Sequence, residues 1–243
     1  MRTLHSGMKA LVALVTLMMA SMGVAHAADA LKIAVYGAGG NIGQRIVKEA
    51  LSRGHHVTAI VREPARYTEK HERLKVVAGD VLDSAQVGKL VAGQDIVISA
   101  VGPGRAKTNV TLYKEAAESL VPALRKLGKK APYLIAVGGA GSLEVAPGVL
   151  LVEKLPEAIR PDILGQKAAL DYYRGVTDVK WTYFSPAGLI APGERTGKFR
   201  LGGDQLVVDA KGESRISMED YAIATINEAE TREHSGKRFT IAY

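Results

Sequence analysis

Residues 31–64 read LKIAVYGAGGNIGQRIVKEALSRGHHVTAIVREP, and the order of residue types in this stretch decides the fold. Leu31 to Tyr36 is a short apolar run that ends in glycines, the profile of a strand covered on both faces of a parallel sheet. Ile42, Ile46, Val47, Ala50 and Leu51 then recur at helical spacing, and Gly54 stops the helix after Arg53. His56 to Val61 reads as a second strand. Between the first strand and the helix lies Gly37-Ala38-Gly39-Gly40-Asn41-Ile42-Gly43. Its first glycine permits a tight turn, the middle ones let backbone approach a pyrophosphate, and the last brings helix close to sheet. The first N–H groups of the helix then face the phosphates. Set in this strand–loop–helix context, the loop predicts dinucleotide binding, with a purely structural glycine turn as the other reading.

Beyond Val61 the same alternation continues. Leu74 to Ala78 is a third strand, Ser84 can cap a helix to about Val91, and Asp95 to Val101 is a fourth strand. Thr108 to Leu127 predicts a long helix closed by Gly128, with Arg125 and Lys126 in its last turn, where cations suit the helix dipole. Tyr133 to Val137 is a fifth strand, and a Gly/Pro-rich stretch runs from Gly138 to about Pro161. Asp162 to Arg174 predicts a helix and Lys180 to Phe184 a sixth strand, followed by a loop-rich segment from Pro186 to Asp204. Ser217-Met218-Glu219-Asp220 resembles a capping box opening a helix to about Glu230, and Lys237 to Ala242 is the closing strand. Strands alternating with helices imply one α/β domain with a doubly wound parallel sheet and a small, loop-rich C-terminal substrate region from about residue 138.

The residues before this domain are of another kind. Met1 to Lys9 carries Arg2 and Lys9 without an acid, Ala10 to Val24 is almost wholly apolar, and Ala25-His26-Ala27 is an A-x-A pattern. Together they describe a secretory signal peptide cut after Ala27. The apolar run is shorter than the roughly 20 residues of a spanning helix, so no stable membrane anchor is expected after cleavage. The expectation is a periplasmic or secreted chain from Ala28 to Tyr243.

Composition narrows the function classes. The chain has 243 residues, 47% hydrophobic and 23% charged, with a formal net charge of +7 and no cysteine. These values exclude a disordered or fibrous class. The missing cysteines exclude a disulfide framework, a thiol nucleophile and a cysteine-ligated zinc. Arg125, Lys126, Lys129 and Lys130 read as a solvated helix end, and without an aromatic platform they predict no nucleic-acid partner. His55 and His56 are adjacent on a strand and point to opposite faces, so no metal site is expected.

The strand ends indicate which dinucleotide. An NAD site places Asp or Glu after the second strand, on the ribose 2′-hydroxyl. Here Val61 is followed by Arg62, with Glu63 next and Arg66 nearby, and a guanidinium pairs a 2′-phosphate in a forked geometry. NADP is favoured over NAD, with Glu63 leaving NAD open. Asp80 and Val81 after the third strand are placed to meet the adenine. Ala100, Val101 and Gly102 after the fourth lie where small residues let the nicotinamide half approach.

The run GAGGNIGQRIVKEALSRGHHVTAIVREP resembles the atypical short-chain dehydrogenase/reductase family, close to its NADH-flavin reductase and biliverdin reductase B-like group. The blocks AVGGAGSLEVAPG (Ala136 to Gly148), WTYFSPA (Trp181 to Ala187), PGERTGKFR (Pro192 to Arg200) and SRISMEDYA (Ser214 to Ala222) extend the resemblance over nearly the whole chain from Ala28. It implies a Rossmann-type sheet and places Gly37, Gly40, Asn41, Ile42 and Gly43 at the pyrophosphate, with Gly39 of the same loop a further cofactor-binding candidate. It also places Arg62 at the adenosine ribose, and Gly138, Gly139, Ser142, Ser185 and Pro186 around the substrate.

One departure from the wider superfamily matters. The Tyr-x-x-x-Lys pair, whose lysine lowers the tyrosine pKa for proton transfer, has no counterpart. Its nearest match is Ile163 to Lys167, with isoleucine in the tyrosine position. Lys167 remains a candidate on the substrate side, and Arg195 a candidate to face an anion such as a flavin phosphate. The expected activity is NADPH-dependent hydride transfer to a small flavin- or quinone-like acceptor, with the catalytic residue open. The alternative is a non-catalytic dinucleotide-binding sensor or scaffold.

Overall fold

The computed structural model describes residues 30–103 and 110–243, of which Leu31–Tyr243 forms one unit. The expected signal segment, Met1 to Ala27 with its cut before Ala28, and Thr108, where the sequence predicts the long helix to start, lie outside the described residues; the described helix begins at Leu112. In chain order come β1 (Lys32–Tyr36), α1 (Asn41–Ser52), β2 (His56–Val61), β3 (Leu74–Ala78), α2 (Ser84–Val91), β4 (Ile96–Ser99), α3 (Leu112–Leu127) and β5 (Tyr133–Val137). They are followed by β6 (Glu144–Ala146), β7 (Val149–Leu150), α4 (Arg160–Arg174), β8 (Trp181–Ser185), β9 (Leu189–Ala191), β10 (Arg200–Gly202), β11 (Arg215–Ser217), α5 (Met218–Thr231) and β12 (Lys237–Ala242).

The main sheet runs in the order β10-β12-β8-β5-β4-β1-β2-β3, parallel except for β10, which lies antiparallel on β12. The order reverses direction at β1, whose Val35 faces Ala59 of β2 on one side and Ile98 of β4 on the other. A doubly wound sheet opens a crevice at such a switch point, beyond the carboxyl ends of the strands.

Alternating side chains on each strand feed two cores. Ile33, Val35, Ile96, Ile98 and Ile135 turn to α1 and α5, meeting Ile46, Val47, Ala222 and Ile226. Ala34, Tyr36, Val97 and Leu134 turn to α2, α3 and α4, meeting Val87, Leu120, Leu124, Leu170 and Tyr173. Each fully buried aliphatic side chain contributes about 1.5–3 kcal/mol, so both faces of the sheet are held by their helices. A third cluster ties the last strands to α5 through Phe184, stacked between Tyr221 at 4.2 Å and Phe239 at 4.0 Å.

Local details differ from the sequence reading in three places. Asp83, not Ser84, caps α2: its Oδ1 accepts from the N–H groups of Ala85 (3.1 Å) and Gln86 (3.3 Å). Ser217 does cap α5, its Oγ accepting from the Asp220 N–H at 2.9 Å. The Asp220 carboxylate, however, turns to the Thr196 and Gly197 N–H groups, both at 2.8 Å, instead of reaching back to the cap. Finally, the two loop-rich stretches hold short strands. β6 and β7 form a hairpin after Ser142, and β9 pairs in parallel with β11.

Candidate active site

The crevice at the switch point is a groove of about 1170 Å³ that runs across the strand ends from Arg62 to Gln166. At its centre the glycine loop is shaped by contacts that admit no side chain. A Cβ on Gly37 would lie 2.3 Å from the Ala100 carbonyl oxygen, and Gly37 has φ +73°. A Cβ on Gly43 would lie 2.1 Å from the Gly37 carbonyl oxygen, so α1 starts hard against the turn. Gly40 precedes α1 without any side-chain cap, and its carbonyl accepts the Gln44 N–H at 2.9 Å. The first N–H groups of α1 are thus turned toward the groove, which suits an anion. The loop and helix end fit a dinucleotide pyrophosphate.

Gly37, Gly39, Gly40, Asn41, Ile42, Arg62, Asp80, Val81, Ala100, Val101 and Gly102 all line this groove. Gly43 lies behind the loop, as a packing residue. None of the described residues bonds to the exposed Arg62 guanidinium. Arg66, beside it, pairs with Glu63 at 3.0 Å, and both are exposed. Asp80 uses Oδ1 to accept the Leu82 N–H at 3.0 Å, fixing the turn after β3.

Two tyrosines at this end were not singled out by the sequence. Tyr36 and Tyr67 line the groove, and both hydroxyls are buried without a hydrogen-bond partner among the described residues. Burial, and then the charges of Asp80 and Asp83, raise the Tyr36 phenol well above its ordinary range. Burial and the Glu69 charge push Tyr67 up to about 12. Both stay protonated donors at neutral pH.

The other end is built differently. Gly138, Gly139 and Gly141 form its floor after β5, and each is glycine because a side chain from elsewhere occupies the Cβ position. Cβ atoms there would lie 2.1 Å from the Tyr183 ring, 1.3 Å from Gln166 Oε1 and 1.8 Å from Ile163 Cγ2. Leu112, Tyr113, Val137, Leu151, Leu155 and Pro186 complete walls that are chiefly apolar. The Gln166 amide donates to the Tyr113 hydroxyl at 3.2 Å, and the Tyr183 hydroxyl donates to the Gln166 carbonyl at 2.8 Å.

Four residues expected on the substrate side stand away from the groove. Lys167 lies one residue round α4 from Gln166, a rotation of about 100°, and its ammonium pairs with Asp171 instead. Arg195 is spent on Glu49 of α1, its Nε and Nη2 donating at 2.9 and 2.8 Å, so the expected anion-facing role is replaced by a structural one. Ser142 is buried beneath the floor, accepting from Arg238 Nη1 at 3.3 Å. Ser185 is buried inside β8, its hydroxyl unpartnered among the described residues. Gln166 and Tyr113, which sequence reasoning passed over, take their place, together with Ile163, read from sequence only as the residue in the tyrosine position. The available signal was the i, i+3 spacing of Ile163 and Gln166 on one helix face.

A parallel sheet reversed at β1, with a glycine turn and uncapped helix end at the reversal, defines a dinucleotide-binding protein of the Rossmann class. The chain belongs to the NAD(P)H-binding family, whose model matches residues 37–229. It is similar to a Burkholderia pseudomallei protein provisionally named an exported protein: 44% identity, TM-score 0.78, covering 88% of this chain and 100% of that one. A Bacteroides thetaiotaomicron protein provisionally named an epimerase shares 38% identity, with TM-score 0.80 and coverage of 88% and 98%. A Streptococcus pneumoniae TIGR4 protein provisionally named an NADH-flavin reductase shares 33% identity, with TM-score 0.76 and coverage of 87% and 99%. These likenesses agree with the atypical short-chain dehydrogenase/reductase resemblance read from the sequence. Among the described residues no cluster of side chains is arranged to hold a metal ion, and no helix is long and apolar enough to cross a membrane.

Proposed function

We propose that the protein is an NADPH-dependent oxidoreductase that reduces a flavin- or quinone-like acceptor without a Tyr-x-x-x-Lys dyad. The observation that carries this reading is the division of the groove: Arg62 and the glycine loop at one end, an apolar, glycine-floored chamber at the other. When bound, the nicotinamide cofactor supplies the hydride. The N–H groups of Asn41 and Ile42 at the start of α1 bind the pyrophosphate, and Asp80 and Val81 border the adenine. Arg62, unpaired among the described residues, supports NADP over NAD because its guanidinium can take a 2′-phosphate. Ala100, Val101 and Gly102 present a small-residue edge to the nicotinamide half.

Hydride transfer to a conjugated ring needs the two rings held close, more than it needs an ionised base. The chiefly apolar walls of the chamber, with Ile163 in the tyrosine position, suit the face of a flat acceptor. The NADH-flavin reductase name carried by the Streptococcus relative supports the same reaction kind. The test is steady-state oxidation of NADPH with FMN, riboflavin and 1,4-naphthoquinone. Turnover with at least one is expected. Binding of NADPH with no turnover on any of them would favour the sensor or scaffold role.

The same reading takes the protein as exported and cut after Ala27, with a small-molecule acceptor as its partner. The basic, apolar and A-x-A order of residues 1–27 supports this, as does the name of the Burkholderia relative. Mass spectrometry of the native N-terminus checks it. A start at Ala28 is expected, and an intact Met1 or Met8 would contradict it.

A further inference from the structure

We infer that the amino end of the main sheet, opposite the groove, is a docking face for an anionic phospholipid surface. The parallel strands all start at one end of the sheet, so the residues that open them share an edge. Lys32 and Lys237 are the first residues of β1 and β12. Lys180 precedes β8, Lys129 and Lys130 lie in the turn before β5, and Lys75 is second in β3. All six are exposed. In the order β12-β8-β5-β4-β1-β2-β3 the edge takes six steps of about 4.8 Å, so the lysines are spread over roughly 29 Å. The carboxylates of this edge are mostly committed. Asp95 Oδ2 accepts the Lys32 N–H at 2.8 Å, Asp178 pairs with Arg125, and Glu72 stands 3.7 Å from Arg73. Glu230 bonds Arg53 at 2.8 Å and His55 at 3.0 Å, and Glu233 is exposed next in sequence to Arg232. Among the described residues no carboxylate pairs with any of the six ammonium groups.

An edge of this kind attracts phosphate groups that are themselves arrayed on a surface. Each lysine held near an anionic leaflet strengthens binding about fivefold, and the attraction fades within a screening length. Two observations select lipid over nucleic acid. The aromatic residues of this edge, Tyr133 and Trp181, are buried, so the described residues offer no exposed ring there for bases to stack on. The chain also enters the domain here. Only Ala28 to Leu31 separate Lys32 from the basic, apolar and A-x-A order of residues 1–27, the kind of segment that a membrane takes up during export. Docked by its amino end, the sheet turns its carboxyl ends, and the groove that they carry, to the aqueous side. The contact is electrostatic and reversible, and it needs no spanning helix.

The experiment is co-sedimentation of the chain from Ala28, which holds the whole folded unit Leu31–Tyr243, with lipid vesicles. Vesicles containing phosphatidylglycerol should carry the protein down, and vesicles of phosphatidylcholine alone should not. The binding should be lost in about 1 M salt, where the screening length shrinks to about 3 Å. Lys180→Gln with Lys237→Gln removes two neighbouring charges from the edge and should weaken binding about 30-fold. Lys154→Gln with Lys211→Gln removes the same charge from exposed sites whose next residues, Leu155 and Gly212, line the groove. That variant should bind within about twofold of wild type, because its lysines lie more than a screening length from the lipid. All four side chains are exposed, so both variants should melt with the wild type. Equal losses in the two variants would assign the attraction to net charge and overturn the inference. Sedimentation with both kinds of vesicle, or with neither, would overturn it as well. Binding to duplex DNA without binding to vesicles would overturn it in favour of a nucleic-acid partner.

Discussion

Gly43 sets its bare α-carbon against the Gly37 carbonyl oxygen, 2.1 Å from where a Cβ would stand. This contact fixes the distance between the turn after β1 and the first turn of α1, and so places the N–H groups that the groove presents. Gly43→Ala must displace main chain, which costs about 1–3 kcal/mol. The melting temperature should fall by several degrees and NADPH binding should weaken with it. Gly39→Ala is the contrast. Its Cβ would meet only Val61 Cγ1 at 3.9 Å, so the fold should stay intact while the added methyl stands in the groove. Thermal denaturation beside a binding titration separates the two variants.

Arg62→Ala removes a cation at the adenosine end that no described residue pairs. Charge-assisted bonds to a phosphate are worth about 1.5–3 kcal/mol, which is roughly 10- to 100-fold in affinity. NADPH should lose that factor while NADH binding stays level. Equal losses for both cofactors would show that Arg62 supports the loop and does not read the phosphate.

Arg195 and Glu49 link the 192–198 loop to α1. Burial by itself would raise the Glu49 carboxyl, but bonds from Arg195 and Arg53, with their charges, outweigh it and hold the pKa below its ordinary value. A carboxylate whose folded pKa is depressed adds stability above its unfolded pKa, about 4.3, and loses it as pH falls through the folded value. Glu49→Gln should therefore lower stability at neutral pH by on the order of 2 kcal/mol. It should also flatten the acid limb of the stability curve below about pH 4.5. Denaturant titrations across that range test both effects, and NADPH affinity should barely change.

Lys167→Ala provides a simple check on the missing dyad. The Lys167 ammonium pairs with Asp171, both partly exposed, and such helix pairs contribute about 0.3–0.5 kcal/mol. Turnover should remain within about twofold of wild type, in line with that small energy. A loss of 10²-fold or more would mean that this lysine reaches the reacting groups after all.

The first half of the fold was legible because its signals are local. Alternation from Leu31 to Val61 and the spacing of the loop glycines need no tertiary information. The groove residues from Gly37 to Gly102 follow from the rule that ligands sit beyond the strand ends. β9, β10 and β11 were hidden because three residues carry no period, and β9 and β11 become strands only by pairing across 26 residues of chain. The glycine-floored end of the groove differs from the sequence reading for a related reason. Lys167 and Arg195 carry the more conspicuous chemistry, but α4 turns Ile163 and Gln166 inward, and Arg195 finds a buried carboxylate 146 residues away. Ser142 is buried in the turn after β5, and Ser185 is buried inside β8. Glycines 138, 139 and 141 mark the true floor, and only the identity of what occupies each absent side chain shows why.

The most direct test of the account is a parallel titration of NADPH and NADH into the purified wild-type protein and Arg62→Ala. The groove predicts saturable binding, with NADPH preferred by about tenfold or more, a difference of 1.4 kcal/mol that Arg62→Ala abolishes. No binding of either nucleotide at millimolar concentration would contradict it, and would leave the glycine loop as structure alone.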